Sequence, residues 1–257
     1  MAEASAAPVT RPDDPRVRWW EPLVVFVGGN AAGTVLGIVA GLAAVLILSR
    51  KGAPVDMATL LYSFAAIMIA LALNNLAMLG VMWGLAKRRL VRPFAHYFAP
   101  VGQGTLALAA LSGVLMSVVL NGGDALLQRA GVVKFQDTPM EIAMVPHGVA
   151  QFAASVAVVS LLAPLAEEFL FRGLLMRWLE QVEGATLAIT VSALVFGAVH
   201  GEIFLHTGAQ GWLYSAELVV AGVVLALWAR RTGTLRTSFA CHAMYNLTAT
   251  LFSVLLP

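Results

Sequence analysis

Ala163-Pro-Leu-Ala-Glu-Glu-Phe-Leu-Phe-Arg172 closes an uncharged run, residues 142–166, with two adjacent carboxylates and an arginine. A run of that length and apolarity reads as a membrane-spanning helix. One charge at the bilayer centre costs about 2.5–3.5 kcal/mol on insertion scales. Three ionisable side chains within six residues therefore need partners inside the membrane, and a task.

The rest of the chain has the same character. Of 257 residues, 60% are hydrophobic and 12% charged, with mean hydropathy +0.83; a soluble domain is about 25% charged. Uncharged runs recur at 22–49, 57–86, 102–123, 142–166, 184–201, 203–229 (broken only by Glu217) and 237–257. The expected fold is an all-α polytopic bundle of about seven transmembrane helices. Residues 22–257 form its single domain, and 1–21, with prolines at 8, 12 and 15, a disordered tail. The first apolar run is too long for the core of a cleavable signal. A net charge of +2 without a basic patch gives no reason to expect nucleic acid. The single cysteine, Cys241, rules out an internal disulfide and a thiolate zinc cage.

Within the spans, Gly29, Gly33, Gly37 and Gly41 repeat every four residues and predict close helix packing. Asn74 and Asn75 predict hydrogen bonds between helices, and Trp19 and Trp20 an interfacial anchor. Residues 124–141 form a mixed-charge segment without a motif, expected as a surface helix, and the role of 121–148 is not readable from the sequence. Lys/Arg bias sets orientation. With the N-terminus inside, the cytoplasmic side holds 12 Lys and Arg, and the other side holds Arg50, Lys51, Arg129 and Lys134.

Pro164 is expected to end or kink the helix arriving from 149 and to open another. Glu167 and Glu168 would then sit near a helix start, where the dipole favours negative charge. Glu168 and Arg172, four apart, share a face and pair. Glu167 points about 100° away, beside apolar walls, and suits a general base. Phe196-Gly-Ala-Val-His200 ends a later span with an imidazole. His242-Ala-Met-Tyr-Asn246 places two hydrogen-bond donors on one face, fit for holding an oxyanion. Counting 1.5 Å per residue from Arg177 and Arg236 brings Glu167, His200 and His242 to one layer. That layer is expected nearer the cytoplasmic side. Singly, each feature has a structural reading: a bilayer salt bridge, a packed histidine, a staple between helices. Together they point to a site. Glu217 is a further candidate member; His147, Glu202 and His206 are weaker ones.

Glu167-Glu168-x-x-x-Arg172, Phe196-x-x-x-His200 and His242-x-x-x-Asn246, in this order, resemble the CAAX prenyl protease and bacteriocin-processing (CPBP, or Abi) family of intramembrane proteases. The resemblance covers about 160–250. It implies endoproteolysis of a membrane peptide or protein, with Glu167 and His200 activating water. His242 and Asn246 would stabilise the oxyanion, and Glu168 with Arg172 would support the first motif. The family is often labelled metalloprotease. A metal-free site is the preferred reading, with zinc on Glu167, His200 and His242 as the alternative. Arg-heavy usage, 13 Arg to 3 Lys, points to a GC-rich bacterium and its cytoplasmic membrane. Two rival classes stand beside the protease: a non-catalytic membrane scaffold or immunity-type protein, and a proton-coupled transporter. Substrate identity and oligomeric state are not readable from the sequence.

Overall fold

The computed structural model describes residues 16–51, 56–88 and 97–255. Within them the chain is helical, and no strand occurs among the described residues. Seven long helical runs carry the architecture. They are α1 (Trp20–Arg50), α2 (Phe64–Arg88), α3 (Gln103–Arg129), α4 (Val149–Glu183), α5 (Ala185–Val199), α6 (Ala209–Thr232) and α7 (Leu235–Leu255). Among the described residues six helices are long and apolar enough to cross a membrane: α1 to α4, α5 extended to Leu205, and α6. The seventh expected span, α7, has the length at 21 residues. Arg236, His242, Asn246 and its hydroxyl residues lower its hydropathy and keep it out of that set. The last helix is polar because it serves the interior. Large apolar side chains such as Val35, Ile38, Val39, Leu42 and Leu46 of α1 instead point outward, as lipid-facing positions do.

Two glycine turns reverse the chain where no other residue fits well. Gly184, between α4 and α5, has φ 84° and ψ 176°, and Gly233, between α6 and α7, has φ 67°; both lie in backbone space that side-chain-bearing residues rarely enter.

Packing follows the small residues. A side-chain carbon on Gly29 or Gly33 would collide with Met78 or Asn74 of α2, whereas Gly37 and Gly41 face open space. Only the first half of the glycine repeat is thus a helix contact. Gly113 of α3 lies directly against the Cys241 backbone of α7, with no room for a side chain. The asparagines differ from expectation. Asn75 Nδ2 donates to Leu71 O at 2.9 Å, and Asn74 Nδ2 contacts Met78 Sδ at 3.9 Å, both within α2. With glycines opposite, the backbones approach too closely to need a polar bridge.

Two faces can be told apart by their contacts. On one, Val17 N donates to Gln181 Oε1 at 3.1 Å, Arg236 Nε to Phe98 O at 2.7 Å, and Thr234 Oγ1 to Ala99 O at 3.0 Å. Residues 1–15 of the expected tail lie outside the described residues, but Val17 and Glu21 are buried on this face. On the other face, Gln136 and Gln210 exchange two hydrogen bonds and Phe135 stacks on Tyr214. There the short helix Pro139–Met144 opens with a capping box between Thr138 and Glu141.

Candidate active site

The site is built on α4, and α4 is not organised as its sequence suggests. Pro164 neither ends nor restarts a helix; Val149–Glu183 runs on as one helix. The strain of the missing N–H is absorbed by a wide turn, the π-helical stretch Val156–Leu162. Ala163 N–H reaches back five residues to Val158 O. The next donor in that pattern would be the nitrogen of Pro164, which has no hydrogen, so Val159 O is left without a helical partner. Asn246 of α7 supplies one: its Nδ2 donates to Val159 O at 2.8 Å. Glu167 and Glu168 therefore sit in mid-helix, and a helix-start dipole does not account for their charge.

What holds Glu168 is a set of partners inside the bundle. Its Oε1 is 2.9 Å from Arg172 Nη1 and 2.9 Å from His242 Nδ1. Glu168 and Arg172 are both fully buried. Arg172 also donates through Nη2 to Gly222 O at 3.0 Å, and its guanidinium lies 4.6 Å from the Phe196 ring centroid. Gly222 can offer that carbonyl because α6 crosses α5 closely; a side-chain carbon there would lie 2.9 Å from Ala193 Cα. The carboxylate thus bridges a guanidinium and an imidazole, tying α4 to α6 and α7.

Glu167 stands on the other side of that imidazole. His242 Nε2 is 3.6 Å from Glu167 Oε2. A cavity of about 290 Å³ opens there, lined by Glu167, His200, His242 and Asn246 among mostly apolar neighbours. Four of the six residues named from the sequence share one cavity; Glu168 and Arg172 stand behind its wall. His200 Nδ1 lies 2.7 Å from Phe196 O. A ring nitrogen beside a carbonyl carries the proton, which leaves Nε2 as the acceptor. Phe196 contacts both imidazoles, with centroids 4.7 Å from His200 and 5.7 Å from His242. Tyr245 and Met144 also line the cavity; Tyr245 falls at an unspecified position inside the His242–Asn246 motif and Met144 outside every motif, so no sequence signal marked them.

The other candidates lie elsewhere. Glu217 lies beside Asp124 of α3, and the cavity takes its neighbour Leu218 instead. Glu202 and Glu141 flank His206, each with a carboxylate oxygen 3.2 Å from Nε2. His147 is a loop residue whose backbone N–H donates to Gln151.

The depth of the site also differs from expectation. Glu167 lies 16 residues before Glu183 and 18 after Val149, near the middle of α4. Arg177, the boundary marker used for the expected depth, is itself buried, over the Tyr97 ring at 4.4 Å. Arg172 is likewise an interior residue and not a boundary charge. The cavity runs away from that face, reaching Met144 and the far half of α7 at Ala249 and Thr250.

Zinc can be tested on the donor set. Among the described residues no three His, Cys, Asp or Glu side chains converge as metal ligands. Glu167, His200 and His242, the alternative zinc set, all line the cavity, and Glu168 and a backbone carbonyl hold the Nδ1 atoms of His242 and His200, an orientation that a metal-ligating histidine also takes. No step below is routed through a metal.

Fold and cavity together define a multi-pass membrane protein that keeps a carboxylate–imidazole site within its helical bundle. Residues 149–248 match the family model of type II CAAX prenyl endopeptidases, Rce1-like. That segment holds Glu167, Glu168, Arg172, His200, His242 and Asn246, and it agrees with the CAAX protease resemblance read from the motifs. No curated protein and no solved structure matches the chain.

Proposed function

We propose that this protein is an intramembrane endopeptidase that hydrolyses a peptide bond of a membrane-embedded substrate, with Glu167 as its base. The observation that carries the reading is the division of two adjacent carboxylates between two environments. Glu168 is spent on Arg172 and His242, whereas Glu167 borders the cavity with His242 Nε2 3.6 Å from its Oε2.

A water held between Glu167 and His200 Nε2 gives its proton to Glu167 as its oxygen attacks the substrate carbonyl carbon. The resulting oxyanion is met by His242 Nε2–H and by the second N–H of the Asn246 amide. That amide is held in place because its other N–H is bound to Val159 O. Glu167 then returns the proton to the amine as the C–N bond breaks. Glu168 accepts from His242 Nδ1 and keeps the ring turned toward the cavity, as a buried carboxylate orients the histidine of a serine-protease triad. The orphan carbonyl, the asparagine that satisfies it and the glutamate one helical turn on make one local arrangement around Pro164.

The test is turnover of a membrane-peptide library by purified protein, wild type beside Glu167→Gln, each with and without a strong zinc chelator. General-base catalysis contributes about 10²–10⁴-fold, and Glu167→Gln is expected to lose at least that, with no chelator effect on the wild type. Full turnover in Glu167→Gln would contradict the assignment, and loss of wild-type turnover with chelator would restore the metal.

A further inference from the structure

We infer that the catalytic cavity faces the extracytoplasmic side, so the substrate is a membrane peptide whose cleavable segment is presented from that side, and not a tail offered from the cytosol. The inference rests on the protease reading for the word substrate; the sidedness itself stands without it.

Two independent observations meet here. The first is the direction of the cavity. Its wall includes Met144 from the short helix between α3 and α4, and His200, which caps the far end of α5. From α7 it takes Ala249 and Thr250, close to the end at Leu255. No residue of the turns at 97–102, 183–184 or 232–235 contributes. The cavity therefore opens toward the face of the Gln136–Gln210 pair, where His206 sits between Glu141 and Glu202.

The second is charge. The faces fixed by the contacts above sort the basic residues. Among the described residues, Arg16, Arg18, Lys87, Arg88, Arg177, Arg230, Arg231 and Arg236 put 8 Lys and Arg on the face opposite the cavity mouth. The mouth face carries 4, namely Arg50, Lys51, Arg129 and Lys134, and Arg172 counts for neither because it is interior. Every connecting segment is short, the range in which Lys and Arg decide orientation. The basic face is cytoplasmic, so the mouth is outside.

The native Cys241 is buried, which leaves introduced cysteines readable against a quiet background. Asp137→Cys on the mouth face, Glu183→Cys on the opposite face and Ala249→Cys inside the cavity are each made in the full chain. A membrane-impermeant thiol reagent is applied to intact cells and to inverted membrane vesicles. Asp137→Cys and Ala249→Cys are expected to label in intact cells, and Glu183→Cys only in inverted vesicles. Labelling of Glu183→Cys in intact cells, or of Ala249→Cys only in inverted vesicles, would overturn the inference. Neither result depends on turnover, so failure here leaves the Glu167 experiment untouched, and failure there leaves the sidedness intact.

Discussion

At the scale of residues, the informative comparison is between Glu167 and Glu168, which differ by one position and about 100° of helix. Glu168 has exchanged water for an arginine and a histidine. Removing one member of such a buried set leaves the other as an unpaired charge, at a cost of about 3–5 kcal/mol. Glu168→Ala and Arg172→Ala are each expected to lower thermal stability in detergent by that order, read by the temperature at which the purified protein aggregates. Near-native stability of both would contradict the structural role. The Glu168–Arg172 pair was legible because i, i+4 spacing on a helix fixes it. Its second partner was not. Nothing in the sequence says that His242 Nδ1 turns to Glu168, since that depends on how α7 is rotated against α4.

Elements show why the start-of-helix reading of Pro164 failed. A proline removes one donor and crowds the preceding turn, which can end a helix or be absorbed by widening it. Tertiary packing selected the second route, and Asn246 supplies what the backbone lost. Truncating Asn246 to Ala should cost about 1–3 kcal/mol, the penalty for a buried carbonyl left unsatisfied. In the Pro164→Ala background the restored N–H can reach Val159 O, so the same truncation should cost less. A double-mutant cycle on thermal stability checks this; strict additivity would show that Asn246 is not serving that carbonyl. The motif spacing was visible in the sequence, but the helix geometry behind it was not.

Across the whole molecule, seven uncharged runs became seven helical runs because spanning length and backbone self-satisfaction leave few other choices. The contacts among them were less legible. A glycine repeat names a helix face without naming where the neighbour stops. Gly113→Leu is expected to destabilise by about 1–3 kcal/mol, as overpacking does, because the Cys241 backbone occupies the space. Gly37→Leu, facing open space, should be close to neutral. Equal tolerance at both positions, measured by folded yield and thermal stability, would mean α3 and α7 are not in contact. The depth of the site was misjudged for a related reason. Arg172 looks like a boundary charge in one dimension, and only the fold reveals that it is interior, while Arg177 stays at its face but packs buried over Tyr97.

The central claim is that adjacent glutamates divide the work, one holding the bundle and one facing the cavity. It is tested most directly by measuring thermal stability and peptide turnover side by side for Glu167→Gln and Glu168→Gln. Glu167→Gln should melt near the wild-type temperature and lose turnover, and Glu168→Gln should melt several degrees lower. If Glu167→Gln instead melts early, or if Glu168→Gln is as stable as wild type, the division of labour is wrong.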